Sequence, residues 1–336
     1  MGTPDSPSRG DVYKYLKEFL LDKRVIDTGW LSRNLLVRGI IAPFRSGSSA
    51  KLYKKLWTEE GSPLKFHGER LQKGVQELLG DDFVVKLAMR YQNPAIESII
   101  NKMLAENNIQ EMVVLPLFPH YASASTGSVM EEVMRVLSKR QNIPQVKFIN
   151  SYPDYEPMIE IFVNHAQKFD IDSYDHIVFS FHGLPQRQLK KGEGQANICV
   201  TKDCCKTLTE KNKYCYSAQC HATAFALAEK MGLKEDDYSI CYQSRLGRDP
   251  WVQPYTSDVI EELAERGMKR LLVFCPAFVA DCLETTIEVL EEYQEEFEEK
   301  GGEHIDLVES LNDDPKWIEA VKDMVLAHCS KAVVSL

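Results

Sequence analysis

Seven short apolar runs recur along the chain, separated by longer stretches in which apolar residues are spaced three or four positions apart. Short runs rich in Val, Ile, Leu and Phe are typical of strands buried on both faces of a sheet. They predict strands at 83–89, 112–118, 146–150, 176–181, 238–242, 270–275 and 305–309. The stretches between them predict helices at 94–107, 126–140, 156–169, 217–231, 257–267, 281–299 and 315–328.

Strands that alternate with helices predict the α/β class, because parallel neighbours need a crossover that covers the sheet. The chain of 336 residues is long enough for two such sheets. We therefore expect two Rossmann-like, doubly wound parallel-sheet lobes with a cleft between them. The N-terminal lobe is expected at 1–170, the C-terminal lobe at 171–310, and a final helix at 311–336 that packs back on the first lobe.

Chemically active side chains follow several of the predicted strands. In open parallel sheets, ligands bind beyond the carboxyl ends of the strands. The candidates at these positions are Arg90, Tyr91, Tyr121, Ser123, His182, Asp281 and Glu284. A cleft between two sheets would bring them together.

His182 ends a buried strand and is followed by Gly183 and Pro185, which present its ring at the rim of the sheet. A neutral imidazole can accept a proton or bind a metal ion. A hydrogen-bonded rim histidine without chemistry is the alternative interpretation.

Carboxylates recur after Cys275 at spacings of three and four residues, which predicts one acidic face on the helix 281–299. Its members are Asp281, Glu284, Glu288, Glu291 and Glu295. For Glu291 and Glu295 a solvated face is the simpler interpretation. Asp281 and Glu284 follow the apolar FVA, so we expect them in the cleft. Such a row facing an imidazole predicts a path for a divalent metal and for protons.

The segment 28–58, called the lip below, has no acidic residue but combines basic and apolar side chains. It includes Leu31 and Ile41, which we expect to contact a substrate. A flat, apolar, anionic ligand or a membrane surface fits this composition, with 28–45 as the membrane-contacting part. Trp251 is either an apolar wall of the cleft or a buried loop aromatic.

Charge and composition narrow the functional class. With 40 basic and 50 acidic residues the net charge is −10, which argues against a nucleic-acid partner. Neither GxGxxG, GxxxxGK[ST] nor HExxH occurs. The polar start MGTPDSPSRG and the lack of a long apolar window predict neither a secretory signal nor a transmembrane helix, hence a cytoplasmic protein.

Five of the nine cysteines lie within 22 residues, in a segment 190–220 that we call the Cys-rich insertion. They are Cys199, Cys204, Cys205, Cys215 and Cys220. In a cytoplasmic chain such a cluster favours thiolate metal ligands over disulfides. The other four cysteines are expected to be small buried residues.

Several separated segments of the chain resemble the ferrochelatase family. They are VYKYLKEFLLDKRVID, GSPL, MRYQNP, PLFPHYASASTGS, FSFHGLPQR, QSRLGRDPWVQPYT and PAFVADCLETTIE, in order from Gly2 to about Asn312. The resemblance implies a lyase that inserts Fe²⁺ into protoporphyrin IX with release of two protons, the last step of haem biosynthesis.

The same resemblance implies roles for particular residues. His182 falls on the family's histidine at the porphyrin face, Asp281 and Glu284 on its acidic partners, and Glu288 on the next member of the acidic row. Fe²⁺ is then expected at His182 and Glu284. Expected substrate contacts are Arg90, Tyr91, Tyr121, Ser123, Trp251, Leu31 and Ile41.

Two features depart from the family pattern. Family members normally carry an apolar strand before the GTPDSP segment, and the sequence given starts at that segment, so we expect a first lobe weakened by unpaired strand edges. The Cys-rich insertion implies a [2Fe–2S] cluster held by four of the five cysteines, with a structural or sensing role. Zinc and free thiols are the alternatives.

Three other functions remain open from the sequence. A chelatase that inserts cobalt or acts on another tetrapyrrole would share the fold. A non-enzymatic, two-lobed metal- or tetrapyrrole-binding protein would share the cleft. An iron–sulfur redox protein would leave the strand-end residues without a role. The choice between protoporphyrin and coproporphyrin, the route of the iron and the oligomeric state also stay open.

Overall fold

The computed structural model describes residues 1–192, 204–247 and 249–330. Within these ranges, the part before the first strand is helical. Its helices are α1 (Arg9–Leu21), α2 (Trp30–Leu36), a π-helical turn (Val37–Ile41), α3 (Ala42–Leu56), α4 (Pro63–Leu79) and α5 (Ile96–Glu106). Ser8 caps α1, because its side chain accepts a hydrogen bond from the Asp11 backbone N–H.

The first sheet consists of β1 (Glu111–Val114) and β2 (Gln145–Phe148), which run parallel with Val113 opposite Lys147. Between them lie a π-helical turn (Ser123–Gly127) and α6 (Ser128–Leu137), and α7 (Glu156–Ala166) follows β2. The strand predicted at 112–118 ends at Val114, before Pro116, which has no N–H to contribute to the sheet.

The strand predicted at 83–89 is not formed. This segment is extended but makes only an isolated bridge, between Met89 and Ala95. Its apolar residues face a cavity whose other side is β1 and the residues after it. A strand is defined by pairing with a neighbour, and the apolar pattern of 83–89 alone does not supply one.

The second sheet has four parallel strands in the order β4-β3-β5-β6. They are β3 (His176–His182), β4 (Tyr238–Gln243), β5 (Arg270–Phe274) and β6 (His304–Leu307). The helices that follow β3 in the chain are α8 (Gln186–Lys190), α9 (Tyr216–Met231), α10 (Thr256–Glu265), a π-helix (Leu283–Tyr293), α11 (Gln294–Glu299) and α12 (Pro315–His328). Short 3₁₀ turns precede β3 at Ile171–Ser173 and β4 at Glu235–Asp237.

The two sheets share one apolar core. Phe162 of α7, Phe179 of β3, Leu227 of α9 and Trp317 of α12 are all fully buried in it. Helix α12 packs against α4 and α7, and α9 packs against α7. The helix predicted at 281–299 begins as the π-helix, a geometry with more residues per turn than the expected α-helix.

A cavity of about 1220 Å³ lies between the carboxyl ends of the two sheets and extends into the first lobe between residues 83–89 and β1. It is lined mainly by apolar side chains. In the part of the chain that the structure describes, no helix is long and apolar enough to cross a membrane.

Candidate active site

His182 is the last residue of β3 and lines the cavity, as expected for a strand-end residue. Its Nδ1 lies 2.6 Å from the carbonyl oxygen of Gly183. A carbonyl can only accept, so Nδ1 carries a proton and Nε2 keeps its lone pair in the neutral ring. The ring packs against Trp251 and Phe278, with ring centroids 6.4 and 6.2 Å away. An apolar pocket therefore surrounds a histidine whose tautomer is fixed.

Glu284 lies in the first turn of the π-helix and also lines the cavity. Cys282 caps this helix: its sulfur accepts from the Thr285 N–H, while the Thr285 hydroxyl accepts from the Cys282 N–H at 3.0 Å. Tyr15 and Tyr53 line the same cavity. Burial and, to a lesser degree, the charge of Glu284 raise the pKa of the Tyr15 hydroxyl. Both tyrosines thus add polar groups to the wall that carries Glu284.

Asp281 lies outside the residues that line the cavity. Its carboxylate accepts from the Asn312 side chain at 2.7 Å, from the Ser310 N–H at 3.3 Å and from the Thr285 hydroxyl at 3.4 Å. These bonds fix the turn between β5 and the π-helix that carries Glu284.

Glu288 is four residues beyond Glu284 and is held by four donors. The Ser244 N–H and hydroxyl lie 2.8 and 2.6 Å from its oxygens, the Gln243 amide 3.1 Å and the Tyr293 hydroxyl 2.9 Å. These four hydrogen bonds fix the position of the Glu288 carboxylate on the π-helix.

The acidic row continues differently from the predicted pattern. Because the helix is π-helical from Leu283 to Tyr293, a spacing of four keeps Glu284, Glu288 and Glu292 on one face. Burial and the neighbouring glutamates raise the pKa of Glu292. Glu291, expected in the row, instead forms a salt bridge with Lys55 of α3. Glu296 extends the row, and its pKa is raised by burial and then by Glu292.

Arg90 and Tyr91 belong to a buried polar network. The Arg90 guanidinium and the Tyr91 hydroxyl both lie 2.8 Å from one carboxylate oxygen of Asp22, and Arg90 also donates to the Ser128 hydroxyl at 2.7 Å. Burial alone would raise the pKa of Asp22, but the hydrogen bonds from Ser128 and its other neighbours lower it. Arg90 lines the cavity, whereas Tyr91 is fully buried behind it.

Tyr121 and Ser123 lie outside the cavity lining. The Tyr121 N–H donates to the side-chain oxygen of Gln219 at 2.6 Å, and the Tyr121 ring packs on Tyr214 at 5.6 Å. Ser123 accepts a 2.8 Å hydrogen bond from Arg24. The structure therefore places both in contact with neighbouring protein side chains.

The lip forms α2, a π-helical turn and α3, and part of its apolar set is exposed. Leu31 is 63% exposed, whereas Ile41 packs on a small core cluster that contains Val37. The other large exposed lip residues are Trp30, Leu35, Leu36, Ile40 and Phe44. Trp251 is 8% exposed and packs beside the His182 ring, but it lies outside the cavity lining, which fits the interpretation as a buried loop aromatic.

Three cysteines of the Cys-rich insertion come together. Cys204 and Cys205 have sulfurs 3.8 Å apart, and a hydrogen bond to Cys215 is the largest cause that lowers the pKa of Cys205 to about 5. Cys199 lies outside the described residues. Among the described residues, no three His, Cys, Asp or Glu side chains form a complete metal-ion site. Cys220 is fully buried in α9, and burial raises its pKa.

The strand-end rule located His182, Arg90 and Glu284 on one cavity, but several other lining residues had no sequence signal. Tyr15 and Tyr53 lie on helices that the apolar pattern did not predict. Phe278 lies in the PAFVA segment after β5, where the strand-end rule could have included it.

Two parallel-sheet lobes that share a cavity, with an imidazole and carboxylates on its wall, define an α/β protein of the chelatase type. A solved structure of SirB from Bacillus subtilis with Fe³⁺ aligns with a TM-score of 0.52 at 14% identity, covering 79% of this chain and 91% of that one. This likeness confirms the predicted fold class.

Sequence comparisons identify the family. The ferrochelatase family model matches residues 1–329. A ferrochelatase from Coxiella burnetii (strain Dugway 5J108-111) is 41% identical over 324 residues, which cover 96% of this chain and 90% of that protein. A ferrochelatase from Legionella pneumophila (strain Lens) is 39% identical over 325 residues, covering 97% and 96%. The chain belongs to the ferrochelatase family, lyases that insert Fe²⁺ into protoporphyrin in haem synthesis.

Proposed function

We propose that this chain inserts Fe²⁺ into protoporphyrin IX in the cavity between His182 and Glu284. The observation that carries the proposal is that these two side chains, from β3 and the π-helix, line one apolar cavity at the carboxyl ends of the sheets. Such a cavity suits a large, flat, apolar macrocycle, and the imidazole and carboxylate on its wall suit a metal ion and protons. Both pyrrole N–H bonds break, two protons leave, and Fe²⁺ takes their place.

His182 accepts the first pyrrole proton at Nε2 in this proposal. The support is its tautomer: Nδ1 is engaged by the Gly183 carbonyl at 2.6 Å, so Nε2 is the nitrogen with a free lone pair. Glu284 assists from the other wall, where its charge favours both the imidazolium and the incoming iron. The Glu284 carboxylate also replaces a water ligand of Fe²⁺, because Nε2 of His182 cannot hold the pyrrole proton and the metal at once.

Macrocycle distortion is the second contribution of the cavity. The pyrrole nitrogens of a flat porphyrin point into its plane, so metal insertion is faster when the ring is bent. Walls that fit the bent form bind the transition-state geometry more tightly than the substrate. Phe278 lines the cavity and packs on the His182 ring, and this rigid aromatic surface supports the proposal; Trp251 packs on the same ring from outside the lining.

The row Glu284, Glu288, Glu292 and Glu296 is the proposed path for protons and for Fe²⁺. Its support is the common helix face and the raised pKa values of Glu292 and Glu296, which follow from burial and like charge. Carboxylates that repel one another bind protons or cations readily. Basic residues of the lip would meet the propionates of the substrate.

A [2Fe–2S] cluster is proposed at Cys199, Cys204, Cys205 and Cys215. The fit rests on the contacts of Cys205 with Cys204 and Cys215 and on its lowered pKa, since iron–sulfur clusters bind thiolates. Cys220 is the cysteine left out, because burial holds its thiol in the neutral form. The cluster would supply a redox-sensitive crosslink of the insertion, and no step of iron insertion is assigned to it.

The exposed lip supports a further proposal, peripheral contact with a membrane that delivers an apolar substrate. Trp30 and Phe44 are 70% and 79% exposed, beside basic residues such as Arg38. Exposed aromatic side chains with neighbouring positive charge suit anionic lipid surfaces. Co-sedimentation with anionic vesicles should fall when both aromatics are replaced by serine; equal sedimentation would refute the contact.

The activity is tested by anaerobic incubation of the full chain with Fe²⁺ and protoporphyrin IX, followed by haem absorbance. Parallel reactions with Co²⁺, and with coproporphyrin in place of protoporphyrin, define the preferred metal and tetrapyrrole. Faster turnover of Fe²⁺ with protoporphyrin IX supports the proposal. A clear preference for another pair would establish a different chelatase of the same fold, and no turnover with any pair would favour a binding protein.

A further inference from the structure

The peptide unit between His182 and Gly183 is fixed at both of its polar groups. Its carbonyl, that of His182, accepts a 2.7 Å hydrogen bond from the hydroxyl of Tyr216. Its N–H, that of Gly183, donates to the Gln243 carbonyl at 2.8 Å. The orientation of this peptide plane is therefore set by one strand neighbour and by one side chain of α9.

The His182 ring depends on this peptide plane. Its Nδ1 donates to the next carbonyl, that of Gly183, at 2.6 Å. There is little room for the loop to rearrange, because a Cβ at Gly183 would lie 2.9 Å from the Gln243 carbonyl oxygen and 3.1 Å from the Trp251 ring. Rotation of the preceding peptide would move the Gly183 carbonyl and break the bond that defines the tautomer.

Tyr216 is well placed for a permanent hydrogen bond. It is 7% exposed, its ring packs edge-on against His120 at 6.0 Å, and it starts α9 directly after Cys215. A carbonyl oxygen can only accept, so the Tyr216 hydroxyl is the donor of the 2.7 Å hydrogen bond to His182. The reaction proposed above gives Tyr216 no chemical step.

We propose that Tyr216 is a positioning residue for His182: its hydrogen bond to the His182 carbonyl keeps the ring in the Nδ1–H tautomer, with the Nε2 lone pair free. This inference rests on the proposed function in one respect, that His182 accepts the pyrrole proton there. Tyr216 lies next to Cys215 within the Cys-rich insertion, so its hydrogen bond links that insertion to the His182 peptide.

Tyr216→Phe removes only the hydroxyl. Tyr155→Phe is the matched control, since the Tyr155 hydroxyl also donates to a backbone carbonyl, that of Ala320 at 3.2 Å, outside the cavity lining. We expect Tyr216→Phe to lower kcat by roughly 10- to 100-fold, the usual effect of removing an orienting partner, with the KM for porphyrin unchanged. Tyr155→Phe should leave kcat unchanged.

A second readout does not require activity. ¹⁵N-histidine NMR of the full chain, with His182→Ala to assign the signal, reports which ring nitrogen carries the proton. We expect the Nδ1–H form in the unmodified chain and in Tyr155→Phe, and a tautomer mixture in Tyr216→Phe. If the unmodified chain makes no haem, the proposed function fails, while this comparison still decides the role of Tyr216.

An unchanged tautomer in a folded Tyr216→Phe variant would overturn the inference, and so would an unchanged kcat in an active one. Should Tyr216→Phe fail to fold, 3-fluorotyrosine incorporated at position 216 keeps the shape and makes the hydroxyl a stronger donor. A shift of the His182 nitrogen resonances is then expected, and no shift would refute the positioning role.

Discussion

Glu288 accepts hydrogen bonds from both the N–H and the hydroxyl of Ser244, at 2.8 and 2.6 Å. Ser244 has a φ of 63°, in the left-handed region that residues other than glycine rarely adopt. One carboxylate of the acidic row therefore also holds the turn that follows β4, so stability and the proposed metal path depend on the same side chain.

Glu288→Ala should lower the free energy of unfolding by about 3 kcal/mol, because buried donors lose a charged acceptor. Glu291→Ala is the control: its salt bridge to Lys55 is partly exposed, and such pairs contribute about 1 kcal/mol or less. Urea unfolding of the three chains gives the comparison. Equal losses for the two variants would show that the bonds of Glu288 to Ser244 do not hold the turn.

Glu292→Gln should raise the melting temperature at pH 7. The pKa of Glu292 is raised from 4.5, first by burial and then by Glu288 and other glutamates. A carboxyl with a raised folded pKa favours folding when protonated, so stability falls as pH rises from the unfolded pKa through the folded one. The glutamine of the variant does not titrate, so the loss of stability that Glu292 causes with rising pH should be absent.

Melting curves between pH 4 and pH 8 test this expectation, with Glu77→Gln as a control on the exposed face of α4. If the melting temperature of Glu292→Gln fell more steeply with rising pH than that of the unmodified chain, the pKa of Glu292 would not be raised in the folded protein.

The same variant should also require more Fe²⁺ for half-maximal turnover, because the proposed path loses a carboxylate.

Cys205→Ser should abolish the proposed cluster, and Cys220→Ala should leave it intact. Cys205 contacts two other thiols, whereas Cys220 is fully buried in α9. Iron and acid-labile sulfide per chain, measured on anaerobically purified protein, decide the matter. Full sulfide content in Cys205→Ser would exclude Cys205 as a ligand, and zinc in place of iron would select the zinc alternative.

The second sheet could be predicted well because its strands are short apolar runs and each of them pairs with another such run. The predicted strand 176–181 is β3, extended by His182, and the predicted 270–275 is β5, which ends at Phe274. In the first lobe the same signal at 83–89 was wrong, because pairing depends on a partner elsewhere in space. Helices α1 to α4 escaped prediction because they precede the first predicted strand and helices were predicted only in the stretches between strands; the buried residues Gly68, Leu71 and Val75 do give α4 an apolar face.

The sequence predicted the residues of the candidate site that follow the end of a strand. It did not predict the direction in which each side chain points. His182 and Glu284 line the cavity as expected. Asp281 instead bonds to Asn312, because the turn before the π-helix directs its carboxylate away from the cavity. The π-helix also shifts the acidic row from Glu291 to Glu292, which a spacing rule for α-helices does not anticipate.

His182→Ala tests the central claim most directly. Haem formation from Fe²⁺ and protoporphyrin IX is measured anaerobically with the unmodified chain, with His182→Ala and with His304→Ala, which removes a 55% exposed imidazole at the start of β6. Loss of a general base predicts a fall in kcat of about 10²- to 10⁴-fold for His182→Ala alone. Turnover by His182→Ala within twofold of the unmodified chain would contradict the assignment of His182 as the proton acceptor.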